Sequence, residues 1–234
     1  MKILALDSTA LTASVALCED QTLLAEYTLE NGNTHSETLL PMIESVLKMF
    51  DLTTNEIDLF AAATGPGSFT GVRIGAATLK GLAFDTQKPC IGVSTLEALA
   101  ENLSMMNGLV CPVMNARRKQ VYTALFRFEN FVGTRLMPDS AIAIAELDEM
   151  LAQYDEPIYL VGDGYGICKE LLTHSSHPTH ERLQRQSAYS VAQVALRSYQ
   201  NGIRTTDAAM VPSYLRLSQA ERERNERLKN DTIV

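Results

Sequence analysis

Five apolar residues, Leu59 to Ala63, lead into the loop Gly65-Pro66-Gly67-Ser68-Phe69-Thr70-Gly71, and the loop opens a helical segment carrying Gly71, Gly75 and Gly81. A short apolar run followed by a segment of helical periodicity predicts a buried strand that feeds a helix across a glycine turn. Gly65 and Gly67 admit backbone angles closed to other residues. The helix start beyond them presents unsatisfied N–H groups that suit an anion. The loop lacks the lysine and hydroxyl pair of a P-loop, and its spacing is not the dinucleotide pattern. Each glycine in a helix interior costs about 1 kcal/mol relative to alanine. Three in one helix therefore predict a close neighbour, a packed second helix being the expected one and a ligand the alternative.

The rest of the chain sets this unit in a repeating order. Ile3–Leu6, Ala13–Cys18 and Thr22–Leu29 predict three strands joined by short turns, with Leu23, Ala25, Tyr27 and Leu29 on one face. From His35 to Phe50, apolar residues recur every three or four positions and predict an amphipathic helix. Pro41 predicts that this helix starts near Leu39 or kinks. Thr53-Thr54-Asn55-Glu56 has the form of a capping box. A strand over Cys90–Val93, a helix from Thr95 to about Met105 and a strand over Leu109–Met114 follow. Strands then begin again at Val121–Phe128 and Phe131–Leu136, with a helix over about Ala145–Gln153 and a strand over Ile158–Val161. Helices are expected over about Ile167–Leu172 and Ala188–Gln200, and a frayed terminal helix over Ala220–Lys229. The order predicts two α/β units of mixed sheet flanked by helices, residues 1–106 and 107–234.

Candidate chemistry is sparse. Asp7-Ser8-Thr9 ends the first strand, where hydroxyls and backbone N–H groups can hold a phosphate and an acid can orient magnesium through water; an ordinary strand-ending turn is the competing reading. Asp163, between Gly162 and Gly164, is the other acid placed for such a role. His174, His177 and His180 lie in a segment broken by Pro178, which predicts a structural loop rather than a metal site. Glu146, Asp148 and Glu149 predict a solvated helix face. No HExxH, GxSxG or cysteine–histidine grouping occurs.

The net charge of −8 and pI of about 5.1 argue against a chain that grips nucleic acid alone. Arg117-Arg118-Lys119 is the local exception, and a solvated turn is the favoured reading of it. The four cysteines form no CxxC pair, and three lie in apolar strand-like runs, as expected of small hydrophobes in a reducing compartment. The N-terminal apolar run is too short for a signal peptide, and no stretch reaches the length of a membrane span, so a cytoplasmic protein is expected.

DSTALTASVAL from Asp7, HSETLLP from His35, TGPGSFTGVRIG from Thr64, GVSTLEALA from Gly92 and VPSYLR from Val211 together resemble the TsaB (YeaZ) family along essentially the whole chain. TGPGSFTGVRIG is the specific element. The resemblance implies the actin-like ATPase (ASKHA) fold of two RNase H-like lobes, the second one reduced. It also implies a role as partner of the related TsaD-type enzyme, which transfers a threonylcarbamoyl group to the adenosine beside the anticodon of certain tRNAs. That enzyme carries a metal-binding HxxxH in the helix matching GVSTLEAL; here Thr95 and Leu99 hold those positions, so no metal and no inherited catalysis are expected.

A TsaE-type ATPase is implied in the larger complex, with tRNA met only indirectly and a homodimer when the chain is alone. The implied interface comprises His35, Leu39, Ile43, Gly71, Arg73, Gly75, Thr78 and Leu82, and leucine at Gly71 or Gly75 is expected to weaken dimerisation without unfolding the chain. Asp7, Ser8, Thr9, Gly65 and Gly67 are the expected vestigial nucleotide or phosphate contacts, and ATP or ADP at the heterodimer stays open. Three alternatives remain beside this reading. They are an ATP-dependent phosphotransferase built on Asp7 and Asp163, a metal-dependent peptidase, and a direct RNA-binding module.

Overall fold

The computed structural model describes residues 1–84, 86–173, 176–177 and 179–216. The helix expected over Ala220–Lys229, and His174, lie outside the described residues. β1 (Lys2–Asp7), β2 (Ala13–Glu19) and β3 (Thr22–Leu29) form an antiparallel meander, and β4 (Leu59–Ala63) and β5 (Cys90–Val93) add in parallel beside β1. The resulting mixed sheet has the order β3-β2-β1-β4-β5. The pattern then repeats. β6 (Gly108–Asn115), β7 (Gln120–Glu129) and β8 (Val132–Ala143) form a second meander, and β9 (Ile158–Val161) adds in parallel beside β6, in the order β8-β7-β6-β9. The second sheet thus has one strand fewer than the first.

Helices cover both faces of the first sheet. α1 (His35–Met49) and α2 (Phe69–Ala83) pack on one face with Leu4, Leu6, Val15, Leu17, Phe60 and Ala62. α6 (Ala188–Gln200) takes the other face with Ile3, Ala5, Ala16, Leu59 and Ala61, and α3 (Thr95–Glu101) lies beside it toward the second sheet. Alternate residues of β1 and β4 therefore point into different apolar clusters, which is why both strands read as continuous apolar runs. α4 (Ile144–Leu151) and α5 (Tyr165–Leu171) pack on the second sheet through Ile144, Leu147, Leu151 and Cys168.

Four local expectations differ from the structure. α1 runs unbroken from His35, with Pro41 inside it and exposed; the missing donor sits in the second turn, where the helix loses only one ladder bond. α3 ends at Glu101 rather than near Met105. β8 extends to Ala143 despite Pro138, because it is an edge strand and the proline needs no ladder partner on its open side. On β3, Leu24, Ala25 and Leu29 pack inward while Leu23 and Tyr27 stay 40% exposed; a register shift opposite Leu17 and Cys18 breaks the period of two.

Candidate functional site

The strand-ending turn after β1 and the glycine loop before α2 are folded onto one another. Ser68 N–H donates to Thr9 O at 2.7 Å, and the Ser8 hydroxyl donates to Gly71 O at 2.9 Å. A Cβ on Gly67 would stand 2.4 Å from Thr9 O, one on Gly71 2.0 Å from Ser8 O, and one on Gly75 2.5 Å from Ser8 Oγ. The nearest neighbour of these glycines is therefore the Asp7–Thr9 turn of the same chain, with the His35 ring of α1 next, 3.4 Å from a Cβ on Gly71. This corrects the expectation that Gly71 and Gly75 form a contact between helices. Leucine at either would strike the backbone or side chain of Ser8 and damage the fold itself. Gly81 alone of the three points into open space.

Asp7 is the electrostatic centre of this turn. It is 1% exposed; its Oδ1 accepts from Thr9 N at 2.8 Å and Thr9 Oγ1 at 2.7 Å, and its Oδ2 has no partner. Burial pushes its carboxyl up to about 6, against the downward pull of the two Thr9 bonds and of nearby His35. His35 turns inward, with Nε2 2.7 Å from Ala10 O. Leu39 and Ile43 are each 1% exposed within the core. Four of the residues expected at an interface, Leu39, Ile43, Gly71 and Gly75, are thus buried inside the monomer. They are buried because the apolar stripe of α1 is its core face, and because the glycines of α2 serve the turn. Arg73 is exposed, and Thr78 and Leu82 are half-buried. The outward surface of these helices is instead formed by Glu37, Leu40, Pro41 and Glu44 of α1 and by Arg73, Ala77 and Gly81 of α2.

A cleft of about 510 Å³ opens between the two sheets. Thr9, Gly67, Ser68 and Phe69 line it on one side, Asn115, Arg117, Tyr122 and Asp163 on the other, and Ser213 to Arg216 on a third. Asp7 and Ser8 do not reach its wall. Asp163 Oδ1 accepts from Asn115 N at 3.2 Å, and burial raises its carboxyl above the ordinary range. Arg117, Arg118 and Lys119 are exposed at the tip between β6 and β7, all three in left-handed backbone with φ of 62°, 55° and 57°. The C-terminal wall was not legible as a site residue set in the sequence, since Val211–Arg216 has no periodicity that would place it.

Other candidates resolve into structure. His177 pairs with Tyr159 in a parallel bridge, its ring 5.3 Å from the tyrosine ring, and His180 caps a 3-10 turn. Asp148 accepts from Thr173 N at 3.0 Å and Thr173 Oγ1 at 2.5 Å, so it ties α4 to the segment after α5, while Glu146 and Glu149 are exposed. Thr95 and Leu99, at 0% and 1% exposure, lie in the interior. Among the described residues no three His, Cys, Asp or Glu side chains come together as a metal site. No helix among them is long and apolar enough to cross a membrane.

Comparison with known proteins decides the lineage. A protein 33% identical over 222 residues, 94% of this chain and 96% of its own, is the tRNA threonylcarbamoyladenosine biosynthesis protein TsaB of Bacillus subtilis. This chain belongs to the TsaB (YeaZ) family. The family model for TsaD, tRNA N6-adenosine threonylcarbamoyltransferase, also matches residues 22–224, which relates TsaB chains to that enzyme. The solved structure of YeaZ from Pseudomonas aeruginosa superposes with a TM-score of 0.81 at 25% identity, covering 92% of this chain and 99% of that one. Component A of the (R)-2-hydroxyglutaryl-CoA dehydratase of Acidaminococcus fermentans shares the fold alone, with a TM-score of 0.50 at 12% identity over 86% and 99% of the two chains. The TsaB fold is thus the ASKHA arrangement of two mixed sheets with flanking helices, and three of the motifs that carried the sequence resemblance, those beginning at Asp7, Thr64 and Val211, supply the turn, the loop and one wall of the cleft.

Proposed function

We propose that this TsaB chain is the non-catalytic partner of a TsaD-type threonylcarbamoyltransferase, required for forming threonylcarbamoyladenosine beside the anticodon of tRNAs. The observation that carries the reading is the end-to-end match to a TsaB protein, 94% of this chain against 96% of that one. The site geometry supports it. Asp7 and Ser8 stand behind the cleft wall, where Asp7 Oδ1 is held by Thr9 and the Ser8 hydroxyl by Gly71.

The docking face is the outward surface of α1 and α2, where Leu40 is 46% exposed beside Pro41, Arg73, Ala77 and Gly81. His35, Thr78 and Leu82 support that face from beneath, and the same face joins two copies when the chain is alone. A TsaE-type ATPase completes the larger complex, and the modified base of the tRNA is handled by the partner enzyme.

The deciding experiment mixes the chain with the TsaD-type enzyme of its own organism and follows size-exclusion chromatography with light scattering. One peak at the summed mass, at the expense of any homodimer, is expected. Persistent separation of two folded proteins with nucleotide present would overturn the reading. A second reading, an independent ATP-dependent phosphotransferase, draws on the position of Thr9 and Asp163 on facing walls of the cleft. ATP turnover by the isolated chain, abolished in Asp163→Asn, would put it in place of the first.

A further inference from the structure

The C-terminal segment after α6 is anchored in one lobe and fastened to the other. Cys90 N–H donates to Thr205 O at 2.9 Å, and Met210, 2% exposed, is buried in the core beneath α1 and α2. From there the chain crosses the cleft. Ser213 N–H donates to Thr64 O at 2.7 Å, and a Cβ on Gly65, whose φ is +115°, would stand 2.4 Å from Ser213 O. Gly65 is thus glycine because the strap passes directly over it. Tyr214 lies with its ring 4.6 Å from that of Phe69, and its hydroxyl accepts from Arg73 Nε at 2.8 Å. The Arg73 guanidinium carbon sits 3.9 Å over the Phe69 ring. Arg216 Nη1 then donates to Ala116 O at 2.6 Å, at the β6–β7 turn of the second sheet.

The strap thus holds Arg73 of α2 through Tyr214 and Ala116 at the far lip of the cleft through Arg216, and only the backbone of Leu215 separates the two grips. Arg73 makes no carboxylate pair among the described residues, whereas Arg127, Arg135, Arg185 and Arg197 all do. Its Nε and its flat face are committed to the strap, which leaves the two Nη groups to meet an outside acceptor. A guanidinium stacked and bonded in this way is preorganised for a planar carboxylate.

We propose that residues 211–216 are a latch that couples docking at α2 to the spacing of the two lobes. A carboxylate of the partner protein held by the Nη groups of Arg73 fixes the guanidinium. That stiffens its grip on Tyr214 and, through Arg216, holds the β6–β7 turn against the cleft. The proposal rests on the docking face assigned above and deepens it. It differs from simple surface contact in one respect: the second lobe, which carries no part of α1 or α2, responds to docking. By linkage, the latch and the partner strengthen one another equally.

Hydrogen exchange of the whole chain, followed in peptides covering 115–120 and 211–216, tests the idea in two steps. In the free chain, Tyr214→Phe, which keeps the ring and loses the hydroxyl, and Arg216→Ala are each expected to accelerate exchange at 115–120 by roughly fivefold, the factor one side-chain hydrogen bond is worth. Added TsaD-type enzyme is expected to slow exchange there by a similar factor in the wild type and to lose that effect in both variants. Unchanged exchange in both free variants overturns the latch, as does equal protection of the turn by the partner in variants and wild type. If chromatography shows no complex with the wild type, the partner reading fails by itself, and the free-chain comparison still decides whether the strap holds the turn.

Discussion

Asp7 holds one carboxylate oxygen without a partner at a site closed to water, and that single atom has a measurable consequence. Its carboxyl rises from 3.8 to about 6 on folding, mainly through loss of hydration. At Asp7 the folded state then binds more protons than the unfolded state between those values, so this group's contribution to stability is most favourable below about pH 4, falls as pH rises through 6 and is flat above. At neutral pH the buried charge costs roughly 3 kcal/mol. Asp7→Asn keeps the oxygen that accepts from Thr9 and removes the charge, while its amide lacks a partner and returns part of the gain. Urea unfolding should show a steeper fall between pH 4 and 6 in the wild type than in the variant, and a gain of about 1 kcal/mol in the variant at pH 7. An identical slope in both would remove Asp7 as its source. The glycines of α2 give a second contrast at this scale. Gly71→Ala places a Cβ against Ser8 O and should cost at least about 2 kcal/mol. Gly81→Ala enters open space on a helix and should add about 0.5–1 kcal/mol, a rise of roughly 1–4 °C in Tm by calorimetry.

At the scale of elements, α1 and α2 divide their surfaces between core and outside. Val46, Leu47, Val72 and Leu79 are buried, whereas Leu40 and Ala77 face outward. Substituting both outward residues, Leu40→Asp with Ala77→Glu, removes nothing from the core and should leave Tm within about 2 °C, as expected for exposed sites. The same pair places two carboxylates in the proposed docking face and should weaken the complex with the TsaD-type enzyme at least tenfold in a titration by calorimetry. Undiminished affinity would move the docking face elsewhere. The helical period of α1 was legible in the sequence, but the resemblance assigned Leu39 and Ile43 of its apolar stripe to an interface, and they are core residues. Periodicity reports an apolar stripe and does not distinguish the stripe that meets the sheet from one that meets another protein. The glycines of α2 were legible as a close approach, but its partner was not, because Ser8 lies 63 positions from Gly71 and comes to it only through the parallel pairing of β1 and β4. The Asp7–Thr9 turn and the Gly65 loop, by contrast, announced themselves by residue type, and the fold brings them together.

Across the whole molecule, the two sheets are sewn together by the C-terminal third of the chain. The sheets divide between Val93 and Gly108, and a boundary near residue 106 is our proposed limit of the first lobe. α6, however, lies far beyond that boundary and covers one face of the first sheet. Val191, Val194 and Leu196 are buried there against Ile3, Ala5, Leu59 and Ala61. Its first turn is fixed by Glu26, which accepts from Ser187 Oγ and Tyr189 N, and its end by the paired Arg197 and Glu101. Burial of those three apolar side chains alone contributes about 5–9 kcal/mol, comparable with the total stability of a domain at about 5–15 kcal/mol. A fragment of residues 1–106 should therefore lack a cooperative thermal transition and should bind a dye that reports exposed apolar surface. Adding a peptide of residues 187–200 should restore the transition, because the peptide carries both the apolar stripe and the Ser187 cap. A sharp transition from the fragment alone would show that the first sheet is stable with one face bare. In that case α6 would serve chiefly to carry the strap to the cleft.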